Sequence, residues 1–284
     1  MDKSLINDLI FINTSYDNAL VDNYDKKHTR LGNVPVTNRE HLIQFLGYLK
    51  THPNQKYVLC DVFFEHKSIH DSLLEQVLRQ PNLVIPYRKD SGDSVFNSDS
   101  INYGEARIYL YNDTFFKYKL FNSKKKVNSI PLKMYEDLYK ANIERGILWS
   151  KINGSIVLND FIPKFYITNY ELENLEINAN IHYLQDVVTY PGFIIDDMVK
   201  DKIVVIADLF ENDKFPTIVG KMPGALIMLN VYFSLVNMEN KIGLAFMVYL
   251  FLILWFVSYL VFYPQQELEE ILKKIPFLGK LYLL

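Results

Sequence analysis

Three observations predict an α/β fold: a mainly parallel, mixed sheet with flanking helices and a hairpin insertion, followed by a C-terminal transmembrane helix. Short apolar runs recur along the 284-residue chain, as expected of strands buried on both faces. Between the first of these runs lie segments of helical periodicity, giving a β-α-β-α-β order that calls for parallel strands with right-handed crossovers. Near the carboxyl end, residues 242–266 contain no charged side chain.

The first apolar run, Asp8 to Asn13 (DLIFIN), predicts a buried strand. A polar loop is expected from there to about Val36. Thr37 or Asn38 then caps a helix, with Glu40 in its first turn and Leu42, Phe45, Leu46 and Leu49 on its apolar face. His52-Pro53-Asn54 ends it, and Lys56 to Phe64 (KYVLCDVFF) forms a second strand. Asp71 starts another helix, with Leu73, Leu74, Val77 and Leu78 on one stripe. Pro81-Asn82 stops that helix before the third strand, Leu83 to Tyr87. Arg88 to Asn102 is polar and turn-rich, hence an exposed loop. Arg107 to Phe121 alternates apolar and polar residues and predicts a hairpin on the sheet edge, and 123–126 (SKKK) predicts a basic surface turn. Pro131 opens a helix to Asn142. Strands are expected at Ser155 to Asn159, Lys164 to Thr168 and Asn178 to Asp186. Lys202 to Asp208 (KIVVIAD) is the clearest late strand. A helix starting at Pro223-Gly224 meets no strong breaker before the uncharged run, so one helix is expected to continue through Phe262.

About 20 helical residues cover the roughly 30 Å hydrocarbon core of a bilayer. Each Leu, Ile, Phe or Val in such a span favours insertion by roughly 0.3–0.6 kcal/mol. The domains that follow are a globular domain over 1–222, a connecting helix over 223–241, a transmembrane helix over 242–263, and a tail or the start of a second span over 264–284. A net charge of −3 shows no basic excess, which argues against nucleic acid as a partner. The single cysteine, Cys60, rules out an internal disulfide framework and any multi-cysteine metal centre.

Open α/β sheets bind ligands at the carboxyl ends of their strands. Asp17 follows the first strand, Asp61 and Glu65 close the second, and Asp208 ends the late one. If those strands are neighbours, the acids converge on a crevice able to hold a cation or a polar ligand. The plainer alternative, which the balance favours, is that they cap helices and bind loop N–H groups. His66 and His70, near Cys60 and Asp61, have the look of a metal-ligand cluster, yet they fall in a loop where their spacing guarantees no geometry. No HExxH, GxSxG, P-loop or glycine fingerprint occurs. The sequence therefore predicts no enzyme, no cofactor and no metal.

Several segments, in this order and spacing, resemble the CHASE2 family of extracellular sensor domains in bacterial membrane signalling proteins. LIFINTSYD (Leu9 to Asp17) resembles the opening strand and its exit, and PVTNRE (Pro35 to Glu40) the entry to the first helix. YVLCDVFFE with His70-Asp71 resembles the signature after strand two. KIVVIADLFENDKFPT and KMPGALIMLNVYFSLV resemble the closing strand, its loop and the Pro-Gly helix. The resemblance spans residues 8 to 262 and implies a receptor without catalytic residues. Asp17, Asp61, Glu65, Asp71 and Asp208 are its matched ligand-binding candidates. Two departures stand out. The tryptophans of the helix-entry element are missing, and Thr14 stands where many members carry Asp.

The resemblance implies a domain outside the bacterial inner membrane that passes a signal to its transmembrane helix. Membrane lipid, an unknown small ligand or protein partner, and a second copy of the chain are its expected partners. Lys273, Lys274 and Lys280 outweigh Lys241 across the span, so the carboxyl end is expected in the cytoplasm. MDKSLINDLIFIN does not read as an export signal, and the chain is therefore expected to be part of a longer membrane protein, with IPFLGKLYLL (Ile275 to Leu284) beginning a further span. Two other functions remain open: a scaffold in an envelope complex without a small ligand, and a metal-dependent hydrolase using the acidic strand ends.

Overall fold

The structure is a computed structural model that describes residues 4–25, 27, 29–87, 96, 100–121, 127–146, 150–172, 180–210 and 213–262. The chain divides into two compact units, residues 1–240 and 241–284. In the first, a helical turn α1 (Ser4–Asn7) leads to β1 (Leu9–Asn13), a hairpin of β2 (Asn18–Tyr24) and β3 (Arg30–Thr37), α2 (Arg39–Thr51), β4 (Tyr57–Asp61), α3 (Asp71–Leu78), β5 (Leu83–Tyr87) and β6 (Tyr103–Glu105). Then come β7 (Tyr118–Lys119), α4 (Ile130–Tyr139), β8 (Ile143–Arg145), β9 (Ser150–Ile152), β10 (Ser155–Val157) and β11 (Asp160–Phe161). The chain returns through β12 (Ile181–Tyr183), α5 (Leu184–Val187), α6 (Gly192–Val199), β13 (Ile203–Ala207), the hairpin β14 (Lys214–Thr217) and β15 (Gly220–Pro223), and α7 (Gly224–Val236).

Six strands form one sheet in the order β12-β1-β13-β4-β5-β6, and every pairing in it is parallel. Its three central strands, β1, β13 and β4, expose almost no side chain on either face, which is why they read as unbroken apolar runs. Alternate residues serve two cores. Leu9, Phe11, Tyr57, Leu59 and Val205 pack with α4 and α7. Ile10, Ile12, Val58, Cys60, Val204 and Ile206 pack with α2, α3, α5 and α6. The first unit thus has three layers, with the sheet between two sets of helices. Asn38 caps α2, its Oδ1 accepting the Glu40 N–H at 3.1 Å, and Leu42, Phe45, Leu46 and Leu49 are the buried face as the sequence predicts. Gly104 lets α4 lie close to β6, since a Cβ there would meet the Ile130 backbone at 2.7 Å.

The structure corrects four expectations. Residues 18–24 and 30–37 are not loop but the two strands of a hairpin, paired from Asn18 with Thr37 to Tyr24 with Arg30. Both of its faces are partly exposed, so polar residues alternate through it and mask the strand pattern. The hairpin expected over Arg107 to Phe121 is a tight turn bridged between Tyr111 and Thr114, and β7 pairs instead with β11. Lys164 to Thr168 forms no strand. Its backbone is satisfied by α7 side chains: Asn230 Oδ1 accepts the Tyr166 and Ile167 N–H groups at 2.6 and 2.8 Å, and Ser234 Oγ accepts that of Lys164 at 3.0 Å.

The fourth correction is the single helix from Pro223 to Phe262. α7 stops at Val236, where Met238 takes a left-handed φ of 54° and the Glu239 N–H reaches back to the Ser234 carbonyl at 2.9 Å, a Schellman-type closure. A separate helix, α8 (Leu244–Phe262), lies in the second unit; it contains no charged residue, and its side chains are largely exposed. No helix among the described residues is long and apolar enough to cross a membrane. At 1.5 Å per residue α8 covers about 28 Å, against a hydrocarbon core of roughly 30 Å. The basic turn at 123–126, most of the loop 88–99 and the tail 264–284 lie outside the described residues.

The carboxyl edge of the sheet as candidate functional site

The sheet order makes β1, β13 and β4 neighbours and sets Asn13, Ala207 and Asp61 in one row at their carboxyl ends. Because these three residues share a parity with Phe11, Val205 and Leu59, their side chains stand on the face that carries α4 and α7. Ala207, between two polar residues, adds only a methyl group to the row. Asn13 organises the exits of β1 and β13. Its Oδ1 accepts the Ser15 and Leu209 N–H groups, each at 3.1 Å. The Ser15 hydroxyl has one proton between two acceptors, Asp208 Oδ1 at 2.5 Å and Asn13 Oδ1 at 2.8 Å. It also accepts the Phe210 N–H at 3.1 Å. Asp208 is thereby tied to the loop after β1.

The start of α2 links this loop to the one after β4. Asp17 is buried and receives His41 Nδ1 at 2.9 Å, while its carbonyl accepts the Asn38 N–H at 2.9 Å. One position along, Arg39 is only 3% exposed. Its guanidinium is paired with Asp71 and donates to the His66 carbonyl, and it lies 5.7 Å from the centre of the Phe64 ring. Asp71 also accepts the Ser68 N–H at 2.7 Å, as a first-turn carboxylate on α3. A buried charge so placed is tolerated because it is paired with a carboxylate and bonded to a carbonyl.

Asp61 is buried at the end of β4. Its charge acts on its neighbours. Burial first, then Asp61, pushes the Cys60 thiol up to about 12. The Tyr118 phenol is raised by burial most of all, with Glu105 and Asp61 adding to the shift and the nearby Ser129 hydroxyl opposing it. Among the described residues, Asn13 Nδ2 is buried without a hydrogen-bond partner, while the Tyr118 and Ser129 hydroxyls face each other. Ser129 is the residue before α4 and makes no side-chain capping bond.

The structure therefore brings Asp17, Asp61 and Asp208 to one edge, joined by Asp71 through Arg39. Glu65 points to solvent from the loop after β4. Sequence reasoning missed Asn13, Ser15, Arg39 and His41. Arg39 carried a signal: a cation in the first turn of a helix opposes the macrodipole and calls for a local carboxylate. Among the described residues, no group of three or more His, Cys, Asp or Glu side chains is placed to hold a metal ion.

A parallel six-stranded sheet with flanking helices and a polar carboxyl edge defines a three-layer α/β domain. The family model described as CHASE2 domain matches residues 10–262, nearly the whole chain, and the protein belongs to that family, whose domains are sensory parts of signalling proteins. No curated protein and no solved structure matches it.

Proposed function

We propose that the protein is a membrane-anchored sensory domain that binds a small ligand or protein partner at the carboxyl edge of its sheet, with α8 as its span in a bacterial inner membrane and the first unit on the extracytoplasmic side. The observation that carries this reading is the reach of the family match, which ends at residue 262, the last of α8. The matched domain includes the uncharged helix as well as the sheet. A shortfall of one or two ångströms against the hydrocarbon core costs fractions of a kcal/mol per Å and is met by local thinning. The lysines beyond the helix favour a cytoplasmic carboxyl end.

Binding at the carboxyl edge is supported by the buried Asn13 Nδ2, which has no partner and costs roughly 1–3 kcal/mol until a polar group meets it. The domain works by binding and without catalysis: a ligand that prefers one arrangement of the edge shifts the population toward it. Because α7 ends at Val236, the change passes to α8 through residues 237–243 and not along one rigid helix. A second reading, a scaffold within an envelope complex, is favoured by the β2–β3 hairpin, which exposes Leu20, Tyr24 and Leu31.

Two measurements test the anchoring. Membranes washed with alkaline carbonate are expected to retain the full chain, and a reporter fused after Leu284 is expected to be active only in the cytoplasm. Release into the wash, or a periplasmic signal, overturns it. The scaffold is separated by the double variant Leu20→Ser/Leu31→Ser, which is expected to leave the sensor's folding and signalling intact. Loss of signalling with folding intact would favour the scaffold.

A further inference from the structure

The opposite edge of the sheet holds a recess of about 190 Å³. Asp8, just before β1, and Lys56, just before β4, stand at its rim beside Tyr139 at the end of α4; Tyr232, Phe233 and Val236, in the last turns of α7, form its wall. Tyr232 and Phe233 are buried, whereas Tyr139 is half exposed at the mouth. The Tyr232 phenol is raised by burial first, then by Tyr139 and Asp8, and all three line the recess. Asp8 and Lys56 are joined at 3.2 Å, with their side chains 54% and 49% exposed.

An exposed pair of this kind is held weakly, so a ligand bearing both complementary charges can take its place. A lone cation would meet Lys56 and a lone anion would meet Asp8. An ammonium joined to a phosphate satisfies both. The ammonium is drawn to the three aromatic side chains and the Asp8 carboxylate, and the phosphate to the Lys56 ammonium. We propose that this recess binds a zwitterionic ammonium–phosphate headgroup of the ethanolamine phosphate type. For its source the proposal rests on the membrane anchoring above: only residues 237–243 stand between Val236, at the recess, and the first residue of α8. The same chemistry occurs in a free solute.

The test uses the purified full chain in detergent, titrated with phosphoethanolamine and followed by calorimetry. Saturable binding is expected, weakened about tenfold in Tyr139→Ala and again in Lys56→Gln, as loss of a desolvated cation–π contact or of the phosphate partner implies. Inorganic phosphate alone and ethanolamine alone are each expected to bind at least about tenfold more weakly. Both altered side chains are half exposed, so the variants are expected to melt as the parent does. No saturable binding by the folded parent, or equal binding by parent and both variants, overturns the proposal. Nanodiscs containing phosphatidylethanolamine that compete with the soluble headgroup, where pure phosphatidylglycerol does not, identify lipid as the source. Failure of both to compete identifies a free solute, and carbonate extraction separately reports on the anchoring.

Discussion

The two edges of one sheet are built on opposite principles. At the carboxyl edge, charges are taken inside: Arg39 is buried against Asp71, and Asp17 against His41. Asp208 is held by Ser15. At the amino edge the corresponding pair, Asp8 and Lys56, stays in water around an open recess. A buried, bonded edge can take only a few arrangements, because moving one group leaves another without its partner. An exposed rim re-partners at little cost and suits a surface that meets lipid or solute.

The largest expected contrast is chemical. With the Cys60 thiol held at about 12 by burial and Asp61, its thiolate fraction at pH 8 is about a thousandfold below that of a free thiol near 8.5. Alkylation of the native chain by iodoacetamide is therefore expected to be about a thousandfold slower than in denaturant, read by mass spectrometry. In the same molecule, a thiol introduced by Lys56→Cys at the exposed rim is expected to react at nearly the free rate. Equal rates at the two positions would erase the distinction between the edges.

Stability should divide the same way. Arg39→Met leaves Asp71 without its buried partner and is expected to cost about 3–5 kcal/mol in chemical denaturation. Adding Asp71→Leu should recover part of that loss, because an apolar pair does not need the missing charge. Ser15→Ala removes the hydroxyl that binds Asp208 and receives the Phe210 N–H, with an expected cost of about 1.5–3 kcal/mol. A loss below about 0.5 kcal/mol would show that the carboxyl edge is not held as one bonded unit.

These contrasts also show what could be read from the residues alone. The strands were legible because β1, β4 and β13 are buried on both faces and stay apolar up to their carboxyl ends. The acids were legible because strand ends at an open edge are where polar groups gather. Their partners were not, since nothing local in LIFINTS says that Asn13 and Ser15 will meet Leu209 and Asp208 across a strand pair. Asn230 and Ser234 were hidden for the same reason. They interrupt the apolar helix GALIMLNVYFSLV at a spacing of one turn, but the backbone they satisfy lies some 65 residues earlier. The break after α7 was legible in principle: Asn237, Glu239, Asn240 and Lys241 form a polar stretch between two apolar helices, and Met238 supplies the left-handed turn.

The smallest expected effect is also the most useful for the amino edge. Lys56→Gln keeps most of the side chain, removes one charge of a half-exposed pair, and is expected to change unfolding free energy by less than about 1 kcal/mol. Added salt should narrow even that difference, because the pair is open to counterions. A loss of 3 kcal/mol or more would mean that Asp8 and Lys56 act as a structural clasp between the starts of β1 and β4, and the rim would then not be free to exchange partners. A near-neutral result, measured by urea denaturation at low and high salt, leaves the strong charges at the carboxyl edge alone and makes the variant a clean probe of what the recess binds.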